Sequence, residues 1–549
     1  MLSSASSSTS STSSTFSGET KPSLDNLPDD VLGIIFRQLD LDELIRLKLV
    51  GKGISHRVTS LGIPLYLSNH RQSHRTLYPL CSYWNPEYLV RHNHYINQSL
   101  NQHRFHALQI GPTWTQAVIP TLTLTSDNLI IGVGGKILSH PLISPLEEYG
   151  GKTIGPSREY PIGKRGSGGR ADVIGIIPFQ NHNQNENEFI VGQFDGTIQR
   201  IILPSSGPSI PKITAKYNTA ASSSFKQQES IHTIVGNENG DRFMTTSTSG
   251  KADIYQTKSP WIEPFSIQLK SSRAWSSLLT TENQSIGAKA MIGVQGSIEL
   301  YDLLPSGISS NPSRKLIGPE EPLLSSPYDI HLPSQDSSSS SSSSPFSLRN
   351  TILSGWYDSH IRLHDIRSSS NLPILNFSDP FTWADGSAFY STCFMGEYYI
   401  AGGGSKHGTV SFFDIRYPNF SKNPSNPSSK KSKSKIGWSC FSPGGKNSPV
   451  YKLQSDGGKL WGVTERRSFV LSFDTSGNSK NGILSNELES REKSHVRDRD
   501  KGRYVPGGWK GRGGKWNWTV RYDQDEARGA VGYEHRDRGV ELFDSLIAV

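Results

Sequence analysis

Residues 290–302 read AMIGVQGSIELYD. An apolar run meets a tight turn at Gly296, and an alternating stretch follows. Glycine takes a positive φ in such a turn at no steric cost. The alternation turns every second side chain to one face. This reads as a β-hairpin, and it decides the fold because it recurs. The other copies are LIIGVGGKILSH from Leu129, FIVGQFDGTIQRI from Phe189, RFMTTSTSGKADIY from Arg242, TILSGWYDSHIRLHD from Thr351, YIAGGGSKHGTVSFFD from Tyr399, LWGVTERRSFVLSFD from Leu460 and AVGYEHRDRGVELFD from Ala530. In five copies a turn glycine stands five residues before one strand position: Gly135/His140, Gly196/Ile201, Gly250/Tyr255, Gly296/Tyr301 and Gly408/Phe413. The matching residues elsewhere are His364, Phe473 and Phe543, and successive copies step by 46 to 70 residues.

Eight such hairpins exceed the strand count of an ordinary sandwich, and the shortest steps approach the roughly 40–45 residues of a propeller repeat. The pattern resembles the WD-repeat β-propeller. Its signature Trp-Asp is eroded here to Tyr301–Asp302, His364–Asp365, Phe413–Asp414, Phe473–Asp474 and Phe543–Asp544. No Gly-His dipeptide occurs, and the first three hairpins lack even the Asp. The expected fold is mainly β: a propeller of eight blades, or seven if one hairpin is irregular. An open propeller would leave two sheet edges. FHALQIGPTW, from Phe105, has the character of an outer strand and is expected to complete the last blade.

Ahead of the repeats, residues 24–54 read LDNLPDDVLGIIFRQLDLDELIRLKLVGKGI. Asp25 and Asn26 are candidate caps for a helix with Pro28, Asp29 and Asp30 in its first turn. Val31, Leu32, Ile35, Phe36 and Leu39 recur at three and four, giving one apolar face. Leu44, Leu47 and Val50 give a second. Helices this short cannot bury all that surface alone, so the rest of the chain or a partner must cover it. The stretch closely resembles the F-box motif: Leu27, Pro28, Ile35, Phe36, Leu39, Leu44, Leu47 and Val50 fall on its defining positions. The resemblance implies that these residues, with Val31, dock on the Skp adaptor of a cullin–RING ubiquitin ligase. After Val50 the family's Cys-Lys-Arg-Trp is replaced by Gly51, Lys52, Gly53 and Ile54, which leaves a third helix open.

Composition sets the outer bounds. The chain has 549 residues, 34% of them hydrophobic, and a net charge of +8, too diffuse by itself to imply nucleic acid. Cys81, Cys393 and Cys440 exclude a disulfide scaffold and a CxxC zinc site, and fit a reducing compartment, cytoplasm or nucleus. No membrane span and no secretory signal is expected. The expected division is a Ser/Thr-rich tail over 1–23, the F-box over 24–68, a helical linker over 69–103 and the propeller over 104–549. Ser337 to Ser344, Ser421 to Lys435 and Arg491 to Lys515 read as low-complexity loops.

Catalytic motifs are missing. Gly151-Lys152-Thr153 ends like a phosphate loop, but Leu146 stands where its first glycine belongs. No HExxH, EF-hand or GxSxG pattern is present, and the six histidines between His70 and His106 lack a ligand spacing. No metal, no cofactor and no catalytic residue is expected. The expected function is therefore binding: the substrate-recognition subunit of an Skp–cullin–F-box ubiquitin ligase, a non-catalytic adaptor, with an unidentified protein target whose phosphorylation the sequence leaves open. Phe194, Trp356 and Tyr357 stand beside hairpin turns as candidate substrate anchors, with Arg362 on the following strand. Two alternatives stay open. Asp365-Ile366-Arg367 and Asp414-Ile415-Arg416 resemble the Asp-x-Arg boxes that dock on the damaged-DNA-binding adaptor of another cullin ligase, through Arg367 and Arg416. RYVPGGWKGRGGKWNW, from Arg503, and KKSKSK, from Lys430, would suit a nucleic-acid-associated scaffold, though nucleic acid is not the expected partner.

Overall fold

The computed structural model describes residues 24, 27–69, 84–103, 105–143, 153–162, 171–179, 187–217, 229–270, 273–282, 286–305, 307–319, 325–333, 348–379, 382, 386–416, 437–443, 448–474, 516–518 and 532–534. The chain divides into two compact units, residues 1–70 and 71–549.

The first unit is helical. Helix α1 (Asp29–Phe36) starts at Pro28, whose side chain offers no cap; Asp25 and Asn26 lie outside the described residues. Helix α2 (Leu41–Lys48) has a reciprocal capping box, in which the Glu43 N–H donates to Asp40 Oδ1 at 2.8 Å and the Asp40 N–H to Glu43 Oε2 at 2.9 Å. The third helix does form: α3 (Lys52–Arg57) runs through one wider turn (Val58–Gly62) into α4 (Ile63–Asn69). Leu32, Phe36, Leu44, Ile54 and Val58 are buried together. Gly62 allows this packing, because a Cβ there would sit 3.2 Å from the Phe36 ring and 3.3 Å from Leu44.

The second unit is a β-propeller of seven blades, each built on an antiparallel sheet whose first three strands run outward in chain order. Blade 1 begins with Thr121–Leu124, blade 2 with Val173–Pro178 and blade 3 with Ile231–Gly236. Blades 4 to 7 begin with Ser276–Leu279, Pro327–His331, Phe389–Met395 and Val450–Asp456. These seven inner strands touch in sequence, and the last returns to the first, so they wall a central channel. The hairpins legible in the sequence supply the two middle strands of every blade.

Of the two expected counts, eight or seven, the structure has seven. Of the copy from Ala530 only Gly532–Glu534 is described, and it adds a fifth strand to blade 7 rather than starting a sheet. Closure follows the expected principle: strand β1 (His106–Ile110) lies in the last blade, between the Leu460 hairpin and Gly532–Glu534. It pairs with Ser468–Ser472 of that hairpin, His106 opposite Ser472 and Ile110 opposite Ser468. An early strand thus completes a late sheet.

Turn chemistry explains the glycine signal. Gly196, Gly250, Gly296 and Gly408 hold φ between 63° and 91°. In the first hairpin the residue in that conformation is Gly134 and not Gly135, and in the fifth Ser359 takes it at 66°. The strand position five residues on is buried in all seven blades, from His140 to Phe473. A second set of glycines lies in the second strand of five blades. A Cβ on Gly132, Gly192, Gly293, Gly355 or Gly403 would meet the next blade's inner strand at 2.7 to 3.1 Å. Only a hydrogen fits where one blade lies on the next.

The seam between blades 6 and 7 holds an aromatic stack. Trp438 lies flat on Phe412 with centroids 4.1 Å apart, and Phe105, just ahead of β1, stacks on Trp438 at 5.6 Å. Helix α5 (Pro86–Asn101), capped by Asn85, drives Ile96 and Leu100 into this cluster. Asn97 and Glu397 exchange hydrogen bonds at 3.2 and 3.1 Å, and the Tyr399 hydroxyl donates to Asn101 Oδ1 at 2.8 Å. Part of the expected linker is therefore fastened to the propeller.

Candidate interaction sites

In the helical unit, the positions singled out from sequence divide by burial. Phe36 and Leu44 are core residues. Leu27, Ile35, Leu39 and Leu47 are half-buried, whereas Pro28, Val31 and Val50 are exposed. Three exposed apolar residues were not anticipated: Ile34, Ile45 and Leu49, the last 82% exposed. The period of three and four selected one helix face, and Ile34 lies off it. Apolar side chains left in water on so small a unit are the physical mark of a surface that a partner covers.

On the propeller, Tyr357 is 54% exposed beside the turn of the blade 5 hairpin. Its ring touches Tyr328 at 6.0 Å. Phe194 is half-buried at the corresponding turn of blade 2, where its N–H donates to the Asp172 carbonyl at 2.9 Å. Trp356 does not reach the surface: it is 1% exposed, and its indole N–H donates to Ser354 Oγ at 2.8 Å. The strand's alternation turns it inward where Tyr357 points out. Arg362 is also 1% exposed. Its guanidinium lies 4.5 Å over the Trp356 ring and grips Asp358 through both terminal nitrogens at 3.1 and 2.6 Å. Burial works to raise the Asp358 carboxyl, but His360 and Arg362 outweigh it and hold it at about 2. Arg362 is thus a structural cation and has no free fork for a phosphate.

Both Asp-x-Arg boxes close on themselves. Arg367 pairs with Asp365 at 2.7 Å and Arg416 with Asp414 at 2.6 Å. Arg416 also lies 4.3 Å over the Tyr398 ring. These are strand-end ion pairs. The basic stretches from Lys430 and Arg503 lie outside the described residues, apart from the backbone of Trp516–Trp518. Among the described residues, no group of three or more His, Cys, Asp or Glu is arranged to hold a metal ion, and no helix is long and apolar enough to cross a membrane. Cys393 and Cys440 are buried, and burial pushes both thiols up, Cys393 to about 12, so neither is a ready nucleophile.

Comparison with known proteins agrees with the helical unit. Residues 24–63 match the model of the F-box domain. No curated protein matches the chain. The chain therefore carries an F-box, the docking domain of subunits of Skp–cullin–F-box ubiquitin ligases, ahead of a seven-bladed propeller.

Proposed function

We propose that this chain is the substrate-recognition subunit of an Skp–cullin–F-box ubiquitin ligase. The F-box holds the Skp adaptor and the propeller, a divergent WD-repeat type, captures the target protein. Chemistry on ubiquitin belongs to other subunits. The gain is effective concentration, since a captured target keeps its lysines near the charged ubiquitin carrier. The observation that carries this reading is the F-box match over a unit that leaves Ile34, Leu49 and Val50 in water. The Asp-x-Arg boxes, each arginine paired with its own aspartate, give no support to the other cullin adaptor. We place the protein in the cytoplasm or nucleus, in keeping with its three cysteines.

The test is co-purification of the adaptor with the full chain. Ile34→Asp with Leu49→Asp puts two charges on the exposed face and leaves the buried residues alone. Recovery of the Skp adaptor and its cullin should fall at least tenfold, with the propeller's melting unchanged. Full recovery would remove the F-box reading.

A further inference from the structure

The inner strands share an irregularity that builds a surface. In blades 2, 3, 5, 6 and 7 the pairing of the first two strands slips by one residue at the same place. The residues left over are Ile174, His232, Tyr328, Tyr390 and Tyr451. In blade 4, Trp275 occupies the matching place, its N–H donating to the Gly293 carbonyl at 2.7 Å. A bulge re-aims the side chain of the extra residue. Here it does so repeatedly, at the channel end that also carries the hairpin turns.

From blade 3 to blade 7 the re-aimed residues are all aromatic, and each touches the next. Centroids stand 6.1 Å apart from His232 to Trp275, 5.1 Å from Trp275 to Tyr328, 5.0 Å from Tyr328 to Tyr390 and 5.7 Å from Tyr390 to Tyr451. All five are half-buried, with the exposed Tyr357 beside Tyr328. The result is a continuous belt around most of the mouth.

We propose that this belt is the seat for an extended, uncharged, proline-rich segment of the target protein. Four observations select that occupant. The rings meet their neighbours and leave no cage between them for a quaternary ammonium. Arg362 is spent on Asp358, while Arg273 lies 4.1 Å over Trp275 and bonds His232 Nε2 at 2.9 Å, so no guanidinium cluster is presented to a phosphate. The five rings themselves are uncharged: burial lowers His232 to about 4, and burial raises the Tyr328, Tyr390 and Tyr451 phenols, the last to about 12. Protonated phenols donate hydrogen bonds, and a proline-rich chain offers carbonyl acceptors with few N–H groups, its rings flat against aromatic faces. At roughly 3.1 Å per residue of a polyproline II chain the arc matches about seven residues.

This inference rests on the substrate-receptor reading and deepens it. A displayed library of random dodecapeptides, panned on the full chain, should enrich uncharged sequences with repeated proline. The selected peptide should lose at least tenfold in affinity with Tyr390→Ala, and less with Tyr390→Phe, which keeps the ring and loses the hydroxyl. A phosphoserine placed in the peptide should weaken it. Failure to enrich, enrichment of acidic or lysine-rich peptides, tighter binding on phosphorylation, or indifference to both Tyr390 variants would overturn the proposal. If Tyr390→Ala melts early, the Phe variant and the phosphopeptide still decide. Adaptor recovery measured on the same variants keeps the two readings apart: it should stay intact, and its loss in the unaltered chain would strike the F-box reading alone.

Discussion

The two units solve opposite problems. The helical unit keeps a minimal core around Leu32, Phe36 and Leu44 and leaves Ile34, Leu49 and Val50 in water. The propeller buries nearly every apolar strand residue and also encloses charge. Asp329 on blade 5 accepts from the Thr392 N–H on blade 6 at 2.7 Å and pairs with Lys452 on blade 7 at 2.8 Å. Asp379 takes the hydroxyls of Ser411 and Ser439 at 2.7 and 2.6 Å. A unit that exposes grease is asking for a partner. A unit that pairs its buried carboxylates across its own blades leaves its rim for binding.

The largest expected effect breaks the propeller. Deleting residues 105–111 removes β1 and Phe105, exposing the edge of blade 7 and half the Trp438 stack. Cooperative unfolding of the propeller should vanish and aggregation should follow. Calorimetry showing an unaltered transition would mean that the seam does not hold the ring closed.

Acid should separate the units next. Burial holds His140 and His364 in the propeller at about 4, against 6.5 for a free histidine. Between those values the unfolded chain binds more protons, so stability rises with pH and is lost as pH falls from 6.5 to 4. Each group contributes up to about 3 kcal/mol. Urea unfolding at pH 7 and pH 4.5 should show the propeller weakened, with His364→Gln flattening the dependence. An equal slope in that variant would assign the acid sensitivity elsewhere.

The smallest effect sharpens the contrast from the other side. Leu49→Ser changes a side chain that is 82% exposed, and should move the helical unit's stability by no more than about 0.5 kcal/mol. A loss several times larger would show Leu49 to be covered within the free chain.

What the sequence made legible follows the same divide. The F-box was readable because apolar residues at helical spacing lie within 30 consecutive residues. The hairpins were readable because six of the seven turns hold a residue at positive φ, between two strands of apolar character. Three things escaped. The blade count stayed open between eight and seven because Gly532–Glu534 resembles the start of a hairpin but joins blade 7. Trp356 and Arg362 were placed at the surface because a turn was close, while the alternation from Tyr357 sends them inward. The aromatic belt was invisible because its rings stand 43 to 62 residues apart, and one extra residue per strand aims them. Bulges leave no period to count.

Strand β1 also sets a waiting time. It leaves the ribosome before any blade exists, and its partner Ser468–Ser472 follows some 360 residues later. At about 5–20 residues per second that interval is roughly 20–70 s. Throughout it, Ala107 and Leu108 belong to an unpaired apolar strand, the kind that other nascent chains can capture. The order of synthesis thus leaves the ring open until the last blade has been translated.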